Sequence, residues 1–452
     1  VSAASNESSP GALLRMPEMR ALLAARGLAT LGMSAIATVV AFQTYEVTRD
    51  PLALGLLGLV EAIPALALML FGGHIADRYD RRRIILITGW VLVAGALALA
   101  VLSLDPASVG LAGILAVVFL IGVAAGFERP ALTAFETQVI PIEHATRGAS
   151  WSGGVWMTGA ILGPALGGLA VAFIGTPGTY VLIALIMAVA VLCAARIAPK
   201  PMPPVQAGER ITTSLASGIR YVARSRLLAG SMALDLFAVF FGGMIALLPV
   251  FASDVLHVGP VGLGVLRTAP AVGALLAMVV TARVPPRRRA GRVFLGCVAI
   301  FGVSVIVFGL STDFLLSLAA LFVAGLADGV GVVIRTVILR VESPEALRGR
   351  IAAVNHVFIG ASNELGAFES GVAATLLGVV PSVVAGGLVT LVVVAAVAVL
   401  VPDLRRLDLG RRLLEGPGAG GASAPLIDVT DESAEVERLG GAAWGASGRP
   451  ES

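Results

Sequence analysis

The sequence predicts an all-α membrane protein with twelve transmembrane helices in two pseudo-symmetric six-helix halves. Three observations predict it. Hydrophobic residues make up 57% of the 452 residues and charged residues 13%, against roughly 25% charged in a typical soluble domain. Apolar runs of about 20 residues follow one another, each long enough to cross a hydrocarbon core of about 30 Å. The runs are continuous rather than alternating, which excludes a β-barrel. Finally, arginine clusters recur at matching places in the two halves of the chain.

The spans fall at 20–44, 52–74, 84–104, 109–128, 151–173 and 179–196, then at 227–252, 260–282, 293–312, 314–336, 352–376 and 380–401. Residues 1–19 are expected to form a cytoplasmic N-terminal segment with a polar, small start, and the first apolar run reads as too long for a cleaved signal. Residues 20–196 form the first half, 197–226 a cytoplasmic linker, and 227–401 the second half. The linker opens with Pro199-Lys200-Pro201-Met202-Pro203-Pro204 and continues into a short amphipathic stretch at 211–221. Residues 402–452 are expected to form a cytoplasmic tail, Gly/Ala/Ser-rich from Glu415 and then acidic, and largely disordered.

Arginine placement sets the orientation. With the N-terminus inside, the inner loops collect Arg78, Arg81, Arg82, Arg83, Arg147, Arg287, Arg288, Arg289, Arg348 and Arg350, whereas the outer loops hold only Arg49. Short loops rich in Lys and Arg stay in the cytoplasm. Both termini are therefore expected there, in a bacterial inner membrane.

The halves repeat. Arg81-Arg82-Arg83 precede the third span and Arg287-Arg288-Arg289 the ninth, 206 residues later. Arg147-Gly148 and Arg348-Gly349 are 201 apart, and the glycines of 163–168 and 366–371 are 203 apart. Tandem six-helix halves imply a transporter with its site at the repeat interface.

Several chemistries are excluded. Cys193 and Cys297 lie in apolar runs and imply neither a disulfide framework nor a metal site. The four histidines are scattered singly. Lys200, the only lysine, sits in a proline-rich loop, so the chain has no Walker A motif and is not itself an ATP-driven pump. No cofactor, nucleic acid or enzymatic activity is expected, and the chain is expected to be a monomer.

Ionisable residues inside hydrocarbon cost about 2.5–3.5 kcal/mol each on insertion scales, so they should face protein or water. Arg26, Glu61, Glu128, Arg129, Asp235, Arg267, Asp328, Arg335, Glu364 and Glu369 are such residues. Spans 3, 6, 9 and 12 have none, which marks them as peripheral supports. Arg26, Glu128 and Arg129 lie near cytoplasmic ends, where they can snorkel to headgroups. Asp328 and Arg335, seven apart, share a helix face and serve either the cavity or interhelical pairs. Asp235, Glu364, Glu369 and Glu61 are the proton-coupling candidates, each equally readable as half of a static pair. In the fifth span, Gly159, Gly163 and Gly167 make a bare stripe for close approach, and Pro164 invites a bend. That stripe is read as helix packing or as a pivot between the halves.

The stretch Gly73-His74-Ile75-Ala76-Asp77-Arg78-Tyr79-Asp80-Arg81-Arg82-Arg83 resembles the signature of the major facilitator superfamily, Gly-x-x-x-Asp-Arg-x-Gly-Arg-Arg/Lys. The segment 159–168 resembles that family's fifth-helix antiporter motif. Residues 72–81, 130–147 and 344–350 resemble the bacterial exporter branch that includes the enterobactin exporter. The resemblance implies proton-driven export of an amphiphilic small molecule, a siderophore or drug-like compound, by alternating access. A solute:proton symporter and a non-transporting sensor or scaffold are the alternatives. Two positions depart from the family pattern: Asp80 replaces a glycine, and the fourth span lacks an embedded arginine.

On this reading Gly73, Asp77, Arg78, Arg81, Arg82, Glu128, Arg348 and Arg350 form a cytoplasmic gate. Asp77 is expected to latch onto the eleventh helix and Arg78 to pair with Glu128 when that side is shut. The substrate cavity is expected between helices 1, 4, 7 and 10.

Overall fold

The computed structural model describes residues 12–105, 110–201, 211–286, 288–410 and 412. The side chains of 12, 13, 69, 70, 73, 74, 76, 77, 211–216, 346 and 356 lie outside that description. Long helices dominate: α1 (Pro17–Thr48), α2 (Pro51–Arg78), α3 (Arg81–Leu102) and α4 (Leu111–Val139). One continuous element, Ala145–Ala195, contains α5 and α6, which meet at Gly175. The linker helix is Ile211–Arg224. The second half holds α7 (Arg226–Phe241, continued by Met244–Val250 and a π turn at Phe251–Val255), α8 (Gly259–Arg283) and α9 (Ala290–Leu310). It ends with α10 (Phe314–Glu342), α11 (Arg348–Leu377) and α12 (Val379–Leu400).

Ten described helices are long and apolar enough to cross a membrane. One of them, Ile142–Ala195, holds two spans folded at Gly175, and α11 is excluded from the ten while having the length to cross. Twelve spans are thus consistent with the fold.

Local chemistry explains the boundaries. Asp50 caps α2 by accepting from Leu52 N at 2.9 Å, with Pro51 at the first helical position. Asp80, the departure from the family signature, is the N-cap of α3, accepting from Arg82 N at 2.9 Å. Asp313 caps α10 in the same way. The α5–α6 fold needs no polar loop because Gly175 adopts φ 70°, ψ 172°, a region open essentially to glycine alone. Gly378 does the same between α11 and α12, at φ 89°, ψ 156°. These glycines are 203 residues apart, as are the proline-led 3₁₀ turns that precede α5 (Ile142–His144) and α11 (Glu345–Leu347). The repeat seen in arginine spacing is therefore a repeat of turns.

The packing is polarised. At the end away from the arginine-rich loops, one apolar core joins both halves, from Ile36 and Val39 of α1 to Phe251 of α7, Leu266 of α8 and Leu321 of α10. At the arginine-rich end there are two cores, one per half. One is built around Met19, Leu22 and Phe135, the other around Phe294, Ile338 and Ile351. The halves are closed together at one end and have separate cores at the other. Exposed apolar side chains coat α3 (Ile87, Val101), α6 (Leu185, Leu192), α9 (Ile300, Val303) and α12 (Val392, Val399), the four helices expected at the periphery.

The chain after α12 folds back. Leu404, Leu407 and Leu409 are buried against the α9 side of the second half, and Arg412 pairs with Glu342 at 2.8 Å. The start of the tail thus packs on the second half, while the stretch from Glu415 that is read as disordered lies outside the described residues. Residues beyond 412 lie outside the described residues.

The glycine stripe of α5 packs within its own half. A Cβ at Gly159 would meet Gly27 O at 2.8 Å, and one at Gly163 would meet Leu31 O and Ser34 of α1 at 2.6 Å. Gly167 faces Ala35 and Val39. The contact between halves is made by the neighbouring Pro164 and Gly168, against Gly264 of α8. Its symmetry mate is Gly371 of α11 against Gly55 of α2, where an added Cβ would lie 2.9 Å from the Gly55 Cα. Gly163→Leu is expected to destabilise the protein by about 1–3 kcal/mol or more through overpacking. Gly153→Ala, at a site with nothing within 4 Å, serves as the neutral control in detergent melting curves.

Candidate transport site between the halves

A cavity of about 100 Å³ lies at the junction of the halves. Its walls are apolar side chains of α1 (Met33, Ile36, Val40), α2 (Leu54, Leu57) and α4 (Val118, Ile121). The second half contributes Ile245 and Ala246 of α7 and Arg267 of α8. The cavity differs from the expected one in using α2 and α8. Helix α10, expected to line it, instead lays Gly325 and Gly329 against Pro270, Ala274 and Ala277 of α8 inside the second half.

Two of the cavity-lining residues are charged, Glu61 and Arg267. The Arg267 guanidinium crosses the interface and donates to Ala37 O of α1 at 3.0 Å. Glu364 reaches the same region from α11, because a Cβ on Gly58, one turn before Glu61, would sit 3.5 Å from its Oε2. Arg129 and Arg267 both act electrostatically on the two carboxylates. Prolines enrich this region in backbone acceptors. Pro64 and Pro270 lack the N–H that would bond four residues back, so the carbonyls of Val60 and Leu266 lose that helical donor beside Glu61 and Arg267.

The remaining embedded charges have other surroundings. Asp235 of α7 forms a buried ion pair with Arg335 of α10, their side chains 12% and 5% exposed. Arg335 thus turns to α7 rather than to Asp328 on its own helix. Asp328 has no hydrogen bond or ion pair among the described residues. Glu369 meets Ser370, whose hydroxyl lies against the Gly242-Gly243 break in α7. Arg26 pairs with Glu136 of α4, and Ser152 of α5 donates to the same carboxylate at 2.9 Å. Arg26 therefore ties three helices together instead of snorkelling. Glu136 was missed from sequence because it lies beyond the apolar run of its span; its spacing from Arg129, seven residues and one helix face, was the available signal.

At the arginine-rich end, Arg81 donates to Ala134 O at 3.2 Å and Arg82 to Ala195 O at 2.6 Å. The second bond places a cation on the C-terminus of α6, where it meets the helix dipole. Arg350 reaches Ser217 of the linker helix at 3.0 Å, and Arg348 is half-buried at the start of α11. Arg78 is exposed. Glu128 lines a small pocket between α1, α3, α4 and α6, with Ala25, Ile85, Gly89 and Met187, so it faces into its own half. The expected latch residue Asp77, together with Gly73, lies outside the described side chains.

Two helical halves around a charged cavity are the arrangement of a membrane transporter. The sequence model described as Major Facilitator Superfamily matches residues 22–367. The chain belongs to the Major Facilitator Superfamily. Among curated relatives it is similar to the "Enterobactin exporter EntS" of Shigella flexneri, 24% identical over 394 residues, covering 86% of this chain and 93% of that protein. Among solved structures it is similar to the nucleoside transporter NupG (TM-score 0.71, 14% identity, 85% of this chain and 99% of that one). It is also similar to a POT family transporter in complex with 5-aminolevulinic acid (TM-score 0.68, 13% identity, 85% and 96%).

Proposed function

We propose that this protein is a proton-coupled exporter of an amphiphilic small molecule, working by alternating access. The observation that carries the reading is the Glu61–Arg267–Glu364 group, assembled from both halves at an apolar cavity. Two carboxylates from opposite halves share the fields of Arg267 and Arg129, and a carboxylate in such a group can take up a proton in one state and release it in the other. The carboxylates sit on α2 and α11, whose close contact joins the halves, so their surroundings change when the halves rock. The apolar walls favour a substrate with hydrocarbon or aromatic surface.

The arginine distribution supports placing the separated end in the cytoplasm, where an exporter loads. The relatives named as enterobactin exporters support that direction, a siderophore-like substrate and a bacterial inner membrane. In the opposite state, with the cytoplasmic side shut, Asp77 would latch onto α11 and Arg78 would find Glu128. The segment boundaries at 19, 196, 226 and 401 belong to the same proposal.

Purified protein in proteoliposomes is expected to move enterobactin or an amphiphilic fluorescent dye against an imposed pH gradient, and to stop when an ionophore collapses it. Uptake rates indifferent to the gradient would remove proton coupling from the reading, and flux only in the direction of the proton would indicate symport.

A further inference from the structure

The tips of α1 and α7 meet at the end where the halves share one core, and they meet through polar groups. Tyr45, its ring buried, donates its hydroxyl to the Asp254 carboxylate. Arg49 pairs with the other oxygen of Asp254 at 3.1 Å and with Glu46 at 2.6 Å. Ser253 closes the circuit by donating to Glu46 at 3.1 Å. Three of these four bonds run from one half to the other. The Arg49 guanidinium also lies 5.6 Å from the centre of the Tyr45 ring, within cation–π range.

The backbone is shaped for this contact. Helix α7 widens into a π turn at Phe251–Val255, with Leu256 N bonded to Phe251 O at 2.8 Å. Such turns rotate less per residue, so the adjacent Ser253 and Asp254 both reach α1. They occur often at functional sites. Arg49 and His257 each adopt left-handed backbone, φ 51° and 52°, uncommon for residues other than glycine. Each turn leads into a helix with proline in its first turn, Pro51 or Pro260. The circuit therefore forms where two symmetry-related turns, one from each half, face each other.

We infer that the Tyr45–Asp254–Arg49–Glu46–Ser253 circuit is the lock that holds the low-arginine end shut. It spans the joint core that must divide for the cavity to open on that side. It is also built to release. Arg49 keeps Glu46 as a partner within α1, and Asp254, 45% exposed, is free to hydrate. Exposed ion pairs are individually weak, as a lock opened in every cycle requires.

The test uses the full chain with Cys193 and Cys297 replaced by serine and one reporter thiol, Ala41→Cys, in the cavity wall. A membrane-impermeant maleimide is applied from the low-arginine side. Asp254→Asn and Tyr45→Phe are each expected to raise the labelling rate at least about fivefold, the lower range of measured coupling between sites. Labelling at the parent rate in both variants, with unchanged elution and helical content, would overturn the lock. A second arm bridges Glu46→Cys and Ser253→Cys with a bifunctional thiol reagent. Transport should stop on bridging and return on reductive release of the bridge; transport undiminished in the bridged protein would refute the inference even if the proton-coupling reading stands.

Discussion

Glu61→Gln is expected to uncouple transport from the pH gradient. Coupling between two ligands is typically about 1–3 kcal/mol, or roughly 5–150-fold in affinity. Accumulation driven by an imposed gradient should fall by a factor in that range, while exchange of labelled for unlabelled substrate at equal pH continues. Glutamine keeps the size and hydrogen-bonding capacity of the side chain and removes only the proton site. Glu364→Gln should behave similarly, because the two carboxylates face Arg267 from opposite halves. The double variant should then be no worse than either single one, as expected of groups that act as a unit. Variants that retain the full pH response would place the proton elsewhere. Asp328, with no described partner, would be the next residue to examine.

Arg335→Leu is expected to cause the largest loss of stability. Breaking a buried ion pair leaves an uncompensated charge and costs about 3–5 kcal/mol, whereas replacing both partners with neutral groups is often neutral. Asp235→Asn alone should be destabilising as well, and Asp235→Asn with Arg335→Leu should recover most of the lost stability. Thermal unfolding in detergent, followed by helical circular dichroism, would measure the cycle. If the double variant also transports with normal pH dependence, the Asp235–Arg335 pair is structural and Asp235 leaves the list of proton carriers.

The twelve-span architecture was legible because hydrocarbon imposes its length on every helix, and the repeat because each half reuses the same turns. Helix ends were read short: α1 runs from 17 to 48 rather than 20 to 44, since amphipathic turns continue a helix past its apolar run. Embedded charges could be located but not paired. Asp235 and Arg335 are 100 residues apart, and only the folded chain shows that they neutralise each other. Glu61 and Glu364 carried the same sequence signal as Asp235, yet their surroundings are different. The polar circuit at Tyr45 and Asp254 was not legible, because its residues lie at the tips of α1 and α7, past the apolar runs, where charge is unremarkable. Asp80 looked anomalous in the motif, and it is an ordinary helix cap in the fold.

The linker limits how far the machine can travel. Lys200 is held to Glu18 at 2.6 Å, so the linker's first residues ride with the first half. The linker helix rides with the second half, through Arg350 to Ser217 and Tyr221 to Glu342 O at 3.0 Å. Pro201 is also held to the first half, its carbonyl accepting from Gln138 at 3.1 Å, and nine residues, 202–210, separate it from the linker helix. At about 3.3–3.6 Å per residue, fully extended, that tether reaches roughly 30 Å. The two halves are thus leashed on one side only, and any larger excursion must be a rotation about the leash rather than a separation.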